Sequence, residues 1–298
     1  MQQRTLADRS VGAIGLGGMP LSVEGRPDRE RAIRTVHAAL DAGVTLIDTA
    51  DAYCLTSDEV GHNERLIAEA VASWGGDRDA VLIATKGGHT RPPDDSWAQD
   101  GSPAHLCAAC EASLRALGVE AIDLYQYHRP DPKVPYEDSV GTLEELRQEG
   151  KVRLVGISNA DPDQIRLAAS ITPLAAVQNE LSPAFRSSLP ELELCTELGI
   201  AFLPWSPLGG IGKASALGNQ HAAFGDVAKE RGVSPQQVCL AWLLALSPVC
   251  IPIPGSSRPE SIRDSAAAAD LQLTADELER LSDGWAPSAA SSSPWQDS

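Results

Sequence analysis

Short, continuously apolar segments alternate along the chain with longer segments in which apolar residues recur every three or four positions. The short segments are typical of strands that are buried on both faces, and the longer ones of amphipathic helices. The predicted strands cover residues 11–14, 45–48, 81–85, 122–127, 152–157, 174–177, 200–203 and 249–253. A helix is expected after each of them. Eight strand–helix pairs in succession predict a single-domain α/β protein, the parallel (β/α)8 or TIM barrel.

Polar residues that favour helix starts support this alternation. Asp28, Ser102, Asp161 and Ser234 each stand directly before a predicted helix, and the last three precede a proline in its first turn. The spacing T-x-x-E at 274–277 is typical of a capping box and predicts one further helix.

The barrel is expected to occupy residues 1–285 and to be followed by a short tail over 286–298. That tail is rich in serine and alanine and poor in core-forming residues, so we expect it to be flexible. The alternative is that it forms part of a lid through Trp285 or Trp295.

The charge balance narrows the range of partners. The chain has 298 residues and a formal net charge of −17. An acidic surface argues against nucleic acids and anionic membranes as partners, although it leaves room for a locally basic pocket. No apolar run is long enough to span a bilayer, and residues 1–4 lack the apolar segment of a signal peptide. We therefore expect a cytoplasmic protein.

Six cysteines are present, and the expected role of most is that of small buried hydrophobic residues in a reducing compartment. Cys107 and Cys110 have the spacing of a redox or zinc pair. A zinc site would need a second pair or a histidine at ligand spacing, and neither is found. No metal is predicted.

Four ionisable residues stand at or just beyond the ends of three predicted strands. Asp48 and Tyr53 follow the strand at 45–48, Lys86 follows the strand at 81–85, and His128 follows the strand at 122–127. In a (β/α)8 barrel these strand ends form the rim that carries the active site. An ammonium group beside a phenol is expected to lower its pKa from about 10, and a histidine can donate a hydrogen bond to a carbonyl oxygen. The sequence thus predicts Tyr53 as the proton donor of a carbonyl reductase.

A series of motifs in matching order resembles the aldo-keto reductase family, in its bacterial, NADPH-dependent form. The resemblance runs from GLGG at 15–18 to Leu281. Its strongest motifs are IDTADAY (47–53), GHNE (61–64), TK (85–86), LYQYH (124–128), GISN (156–159), VQNE (177–180), WSPLG (205–209) and IPGSS (253–257). The resemblance implies NADPH-dependent reduction of aldehydes and ketones, with Tyr53 as general acid and Asp48, Lys86 and His128 as its partners.

The same resemblance implies a set of cofactor contacts. The nicotinamide carboxamide would be held by Ser158, Asn159 and Gln178, and its ring would stack on Trp205. The pyrophosphate and adenosine parts would lie along Ser206, Leu208, Gly209, Gly255, Ser256, Ser257, Arg258 and Asp264.

Two departures from the family pattern concern the adenosine end of the cofactor. Asp264-Ser265 stands where many members have Glu-Asn, and Gly255 and Ser261 stand where some members have a lysine and a second arginine. Arg258 is then the main candidate for binding the 2′-phosphate, with Arg263 as the weaker one. NADPH is the favoured cofactor, and NADH remains possible.

Gly15 and Gly17 hint at a dinucleotide-binding fingerprint, but Pro20 replaces its third glycine, and we interpret the segment as the first barrel loop. Substrate choice is expected to depend on the loops at 54–61, 87–101 and 209–220. Met19, Trp97 and Trp205 would supply apolar surface there. Arg91 and Arg129 would favour an anionic substrate, unless both are simply solvated.

Two other functions fit the same four residues. One is a cofactor-sensing regulatory or binding module that turns over slowly, and the other is a dehydratase or isomerase that uses the same acid without net redox change. A small-molecule carbonyl substrate and a monomeric state are the expectations for partners.

Overall fold

Seven strands, six of them from the predicted apolar segments, pair in parallel to form the central sheet of the protein. The structure is a computed structural model that describes residues 1–282, so the predicted barrel end at 283–285 and the predicted tail at 286–298 lie outside the described residues. The strands are β1 (Gln3–Leu6), β2 (Arg9–Gly12), β3 (Leu16–Gly17), β4 (Leu46–Asp48), β5 (Leu82–Gly87), β6 (His89–Thr90), β7 (Ala98–Gln99), β8 (Ile122–Tyr127), β9 (Val152–Ser158), β10 (Leu174–Gln178) and β11 (Ala201–Phe202). The central order is β3-β4-β5-β8-β9-β10-β11, with all neighbours parallel.

The segment around 249–255 closes this curved sheet into a barrel. On one side, the N–H of Ile251 donates to the carbonyl of Phe202 at 2.8 Å. On the other side, the N–H of Gly17 donates to the carbonyl of Pro254 at 3.0 Å. The predicted eighth strand therefore occupies its place, but as isolated bridges and not as a regular strand. Pro252 and Pro254 cannot donate to a ladder, which explains the interruption.

The predicted first strand at 11–14 is wrong in its position. Residues 9–12 belong to an antiparallel hairpin, β1–β2, and β3 is the first strand of the barrel. Leu6 and Val11 of the hairpin are buried together with Leu46 and Leu82, which lie at the beginnings of β4 and β5. The hairpin thus closes the end of the barrel opposite the rim that carries Asp48.

Close contact between two glycines supports the closure between β3 and the last segment. Gly17 pairs with Gly255, and a Cβ on Gly17 would come within 2.8 Å of the carbonyl oxygen of Ile253. The glycines of this segment are therefore explained by packing of the barrel wall. Gly17 belongs to β3, so the interpretation of the segment as the first barrel loop is wrong for this residue.

Helices surround the barrel, and predicted capping residues begin five of them. They are α1 (Arg29–Asp41), α2 (His62–Ser73), α3 (Pro103–Leu117), α4 (Tyr136–Gln148), α5 (Pro162–Ile171), α6 (Leu189–Leu198), α7 (Leu217–Gln220), α8 (Ala222–Arg231), α9 (Pro235–Leu246), α10 (Pro259–Ala267) and α11 (Ala275–Ser282). The side chains of Asp28, Ser102, Asp161 and Ser234 each accept a hydrogen bond from the third residue beyond them. The capping box that begins α11 is confirmed by two reciprocal hydrogen bonds between Thr274 and Glu277.

The cysteines mostly behave as predicted. Five are buried, all six are free thiols, and Cys107 is the exposed exception. Within residues 1–282, no three or more histidine, cysteine, aspartate or glutamate side chains are grouped so that they could hold a metal ion. None of the helices in this range is long and apolar enough to cross a membrane.

Candidate active site

The parallel strands bring the four predicted ionisable residues to one rim of the barrel. Asp48 is the last residue of β4, Lys86 is the penultimate residue of β5, and His128 directly follows β8. These strands are consecutive in the sheet, so their carboxyl ends lie side by side. Tyr53 lies five residues beyond the end of β4, in the loop that leads towards α2. The structure thus brings all four side chains together.

The ammonium group of Lys86 is the centre of this cluster. Its Nζ donates to Asp48 Oδ2 at 2.6 Å, to the hydroxyl oxygen of Tyr53 at 3.1 Å and to the carbonyl of Thr49 at 2.9 Å. The three donors of the ammonium are therefore all used. Because Lys86 is fully buried, the carboxylate beside it is what makes a charged lysine tolerable there.

Asp48 is held from a second direction by two glutamines. Its Oδ1 accepts hydrogen bonds from Gln178 Nε2 at 2.8 Å and from Gln126 Nε2 at 3.1 Å. Gln126 lies inside β8, and the pattern of polar strand ends in the sequence does not predict its role. Its detectable signal is a polar residue in an otherwise buried strand, two positions before His128. The carboxylate can accept all these bonds at once because it offers about four lone pairs.

The pKa of Tyr53 departs from the expectation drawn from the sequence. Burial of the side chain raises the pKa of Tyr53 above 10, while the adjacent charge of Lys86 acts in the lowering direction without outweighing burial. The predicted net lowering is therefore wrong. Burial acts to lower the pKa of Lys86, but the charge attraction and hydrogen bonds that it shares with Asp48 and Tyr53 together outweigh burial and raise the pKa. At neutral pH the pair consists of a protonated phenol and a protonated amine.

His128 forms part of a group of aromatic rings at the cavity wall. Its ring stacks on His89 with centroids 4.1 Å apart and meets the Tyr53 ring edge-on at 5.7 Å. Burial is the main reason why the pKa of His128 lies well below 6.5, with smaller contributions from nearby positive charges. The imidazole is therefore neutral at physiological pH. Its Nδ1 is buried without a hydrogen-bond partner, and Asn159 Nδ2 donates to its backbone carbonyl at 3.0 Å.

A cavity of about 680 Å³ opens over this cluster and extends along the rim to α10. A volume of this size is typical of ligand sites. Lys86 lies beneath the wall, and Gly209 is not among the lining residues although its backbone adopts a φ of 89° beside them. The other predicted residues all line it: Asp48, Tyr53, His128, Ser158, Asn159, Gln178, Trp205, Ser206, Leu208, Gly255, Ser256, Ser257, Arg258 and Asp264.

The three polar residues predicted for the nicotinamide are already connected to one another. Ser158 Oγ donates to the carbonyl of Gln178 at 2.7 Å, and Asn159 Nδ2 donates to Ser158 Oγ at 3.0 Å. The amide nitrogen of Gln178 is occupied by Asp48 and Gln126. Acceptor oxygens of Asn159 and Gln178 are therefore better placed than their nitrogens to meet an added amide group.

Trp205 and Ser206 lie on the cavity wall beyond β11. The backbone N–H of Trp205 donates to the carbonyl of Asn179 at 3.1 Å, which fixes the residue against the end of β10. The indole Nε1 of Trp205 is buried without a partner. Ser206 adopts a φ of 49°, an uncommon conformation for a residue other than glycine, and such strain is frequent at ligand sites.

The far end of the cavity is formed by the beginning of α10. Arg258 precedes this helix, and its guanidinium lies 3.6 Å from the carboxylate of Glu260. Asp264 accepts hydrogen bonds from Ser234 and Gln237, which join α10 to α9, so the residue has a packing role as well. Arg263 is exposed and does not line the cavity.

The residues of this cavity fit a pyridine dinucleotide. Its wall combines an indole ring and amide side chains with the Tyr53 hydroxyl, and it includes an arginine at a helix N-terminus, where unpaired N–H groups favour a phosphate. The indole N–H of Trp205 is buried without an acceptor, and a polar atom of a ligand bound in the cavity could accept its hydrogen bond.

Comparison with known proteins also indicates an enzyme that uses a pyridine dinucleotide. The sequence profile of the Aldo/keto reductase family matches residues 13–285, so the chain belongs to this family and is an NAD(P)H-dependent oxidoreductase. The chain is 36% identical over 288 residues to the pyridoxine 4-dehydrogenase of Escherichia coli (strain K12), covering 93% of this chain and 96% of that protein.

Two solved structures show the likeness of fold. A glycerol dehydrogenase from Gluconobacter oxydans superposes with a TM-score of 0.81 at 27% identity and covers 94% of each chain. An aldo-keto reductase from Klebsiella pneumoniae, solved in complex with NADPH, superposes with a TM-score of 0.77 at 28% identity and also covers 94% of each chain. The predicted (β/α)8 barrel is thereby confirmed.

Proposed function

We propose that the protein reduces an aldehyde or ketone to the alcohol with NADPH, and that the hydroxyl group of Tyr53 donates the proton. The observation that carries this proposal is the position of the Lys86 ammonium. It lies 2.6 Å from the carboxylate of Asp48 and 3.1 Å from the hydroxyl oxygen of Tyr53, and both of these residues line a cavity of about 680 Å³. Such an arrangement suits the transfer of a proton to an oxygen that gains negative charge.

Tyr53 keeps its proton until the reaction requires it, because burial holds the pKa of its hydroxyl above 10. After transfer, the resulting phenolate would be stabilised by the hydrogen bond from Lys86. The carboxylate of Asp48 holds the ammonium group in position, and hydrogen bonds from Gln126 and Gln178 hold Asp48 in turn. The same groups would take the proton back in the direction of alcohol oxidation, since the reaction is reversible.

His128 would orient the carbonyl oxygen. A neutral imidazole carries one N–H, and we assign it to Nε2 because the buried Nδ1 has no acceptor. The Nε2 hydrogen would then be available for the carbonyl oxygen next to the Tyr53 hydroxyl. His89 stacks on the imidazole ring of His128, which limits the rotation of that ring.

When bound, NADPH supplies the hydride. The structure with NADPH from Klebsiella pneumoniae supports this choice of cofactor for the present chain. Trp205 would pack on the nicotinamide ring, Ser158, Asn159 and Gln178 would bind its carboxamide, and Arg258 would bind the 2′-phosphate. Ser206, Leu208, Gly209, Gly255, Ser256, Ser257 and Asp264 would contact the remaining parts. NADH is the possible second cofactor.

The direct test is oxidation of NADPH by the purified protein, followed by absorbance, with NADH in parallel. The panel should contain aldehydes, ketones and dicarbonyls. The names of two relatives argue for adding pyridoxal and glyceraldehyde. Turnover that is lost in Tyr53→Phe would support the proposal. Tight NADPH binding without turnover of any carbonyl would contradict it and favour a cofactor-binding module.

A further inference from the structure

Arg129 is a guanidinium without a partner on the wall of the active-site cavity. It directly follows His128, lines the cavity and is partly buried. Among residues 1–282 its side chain makes no hydrogen bond, ion pair or ring contact. Removing a charged group from water without a partner is unfavourable, so such a group is usually paired or reserved for a ligand.

Other partly buried arginines of this chain are paired within the protein. Arg26 makes two hydrogen bonds to Glu59, Arg147 makes two to Glu144, and Arg91 donates to the carbonyl of Leu55. With a net charge of −17, the chain has more than enough carboxylates to pair Arg129 as well. The cavity side chain nevertheless remains unpaired, with its five donors available.

The charge of Arg129 acts directly on the catalytic end of the cavity. It contributes to the lowered pKa of His128. It also contributes to the lowered pKa of His89, which burial and nearby positive charges bring to about 3. Both imidazoles are therefore neutral and do not compete with Arg129 for an anion. Burial lowers the pKa of Arg129, and the nearby carboxylate of Glu180 raises this pKa by a smaller amount. Glu180 forms no ion pair with the guanidinium of Arg129 and does not line the cavity.

The wall beside Arg129 consists of flat rings. His89 stacks on His128 with centroids 4.1 Å apart, and Trp97 follows with its ring 5.6 Å from His89. A planar, largely apolar substrate body would fit this surface. The cationic side chain at the other end of the cavity, Arg258, lies at the part suited to the adenosine of the cofactor.

We propose that Arg129 binds an oxyanion of the substrate, so that the preferred substrate is a carbonyl compound with a flat body that carries a carboxylate or a phosphate group. The proposal rests on the carbonyl reduction proposed above and specifies its substrate class. A guanidinium is suited to this role because its planar fork binds two oxygens of one anion.

The first experiment measures binding and needs no turnover. Isothermal titration of the protein saturated with NADP⁺ would compare benzoate with benzamide, which share shape but not charge. Saturation with NADP⁺ keeps Arg258 from contributing. We expect benzoate to bind roughly 10- to 100-fold more tightly, as for a charge-assisted hydrogen-bonded pair. Arg129→Gln should remove this preference, and Arg129→Lys should retain part of it.

The matched control is Lys133→Gln, which removes one positive charge from an exposed position four residues along the chain. It should leave the benzoate preference intact. Equal binding of benzoate and benzamide by the parent protein, or an unchanged preference in Arg129→Gln, would overturn the proposal. Circular dichroism and the NADP⁺ dissociation constant of Arg129→Gln would show that the variant is folded.

The second experiment uses kinetics to distinguish the two anions and the two proposals. The ratio of kcat/KM would be measured for 4-carboxybenzaldehyde against methyl 4-formylbenzoate, and for glyceraldehyde 3-phosphate against glyceraldehyde. A larger ratio in one pair, reduced in Arg129→Gln, identifies that anion as the natural group. If the neutral aldehydes are reduced and the anionic aldehydes are not preferred, the role of Arg129 is contradicted and the proposed carbonyl reduction is not. A benzoate preference without reduction of any aldehyde would contradict carbonyl reduction and leave the anion site standing.

Discussion

The Nζ of Lys86 and the hydroxyl oxygen of Tyr53 lie 3.1 Å apart, and both side chains are buried. This hydrogen bond is what couples the lysine charge to the phenol, since it becomes stronger when the phenol loses its proton. The pair has no equivalent elsewhere among residues 1–282, where Tyr125, Tyr127 and Tyr136 have no lysine partner.

Tyr53→Phe should abolish carbonyl reduction while leaving the cofactor site intact. The change removes only the hydroxyl, so we expect kcat to fall by about 10²–10⁴-fold, as for loss of a general acid, and the NADPH dissociation constant to change little. Stopped-flow reduction and fluorescence titration would measure the two quantities. Tyr136→Phe is the matched control, because it removes a buried hydroxyl that has no partner and lies outside the cavity lining. Reduction by Tyr53→Phe at the parent rate would identify another group as the acid.

Lys86→Met should lower both activity and stability. Methionine replaces the buried ammonium by a side chain of similar length, so the carboxylate of Asp48 loses its charged partner at 2.6 Å. Breaking a buried ion pair in this way typically destabilises a protein by about 3–5 kcal/mol. Urea unfolding would measure the loss, and kcat should fall at least 10²-fold.

The double variant Lys86→Met/Asp48→Asn provides the control for Lys86→Met. It removes the unpaired charge, so it should regain part of the stability but none of the activity. Recovery of activity in the double variant would contradict a direct role of the ammonium.

The rate of reduction should depend little on pH between about 6 and 8. His128 is neutral throughout this range because its pKa lies well below 6.5, and Tyr53 is protonated because its pKa lies above 10. As pH rises through the pKa of Tyr53, the proton is lost and reduction should decline. A pH profile of kcat at saturating NADPH would test this. An inflection near 6.5 that disappears in His128→Gln would show that the imidazole works in its charged form.

Arg258→Gln should shift the cofactor preference from NADPH towards NADH. The guanidinium stands at the start of α10, and its loss should weaken NADPH binding about 10- to 100-fold while changing NADH binding little. Arg263→Gln is the control on the same helix, since Arg263 is exposed and does not line the cavity. An unchanged ratio of the two dissociation constants in Arg258→Gln would exclude this arginine as the phosphate ligand.

The sequence predicts that the residues of the candidate site cluster, because parallel strand ends meet at one rim of the barrel. Asp48, Lys86 and His128 each end an apolar run, and the barrel topology alone brings such positions together. The role of Gln126 is harder to foresee because it lies within its strand, where the side-chain direction depends on register. The raised pKa of Tyr53 likewise depends on how deeply the side chain is buried, and the depth of burial cannot be inferred from the neighbouring charged residues in the sequence.

The errors in the fold prediction have local causes. The β1–β2 hairpin turns at Ala7 and Asp8, and Ala7 takes a φ of 52° without the glycine or asparagine that usually marks such a turn. The hairpin therefore leaves little trace in the pattern. At 249–253 the apolar run is clear, but Pro252 removes a donor, so the segment closes the barrel by isolated bridges only.

Asp51→Asn should stabilise the protein at neutral pH. Burial, followed by repulsion from Glu64, raises the pKa of Asp51 well above 3.8. A raised folded-state pKa means that the protonated carboxyl contributes stability below about pH 4, and that this contribution is lost as pH rises through the folded-state pKa. Each unit of the raised pKa corresponds to about 1.4 kcal/mol. Asparagine stays neutral, and its oxygen can still accept the 2.6 Å hydrogen bond from the N–H of Ala52.

The gain in unfolding free energy of Asp51→Asn over the parent should therefore be larger at pH 8 than at pH 5, as measured by urea denaturation. Asp58→Asn is the control, because it removes an exposed carboxylate in the same loop and should change stability little at either pH. The opposite trend, a variant that loses stability as pH rises, would show that Asp51 is ionised in the folded protein. Its attraction to the nearby Lys86 would then exceed the unfavourable effect of burial.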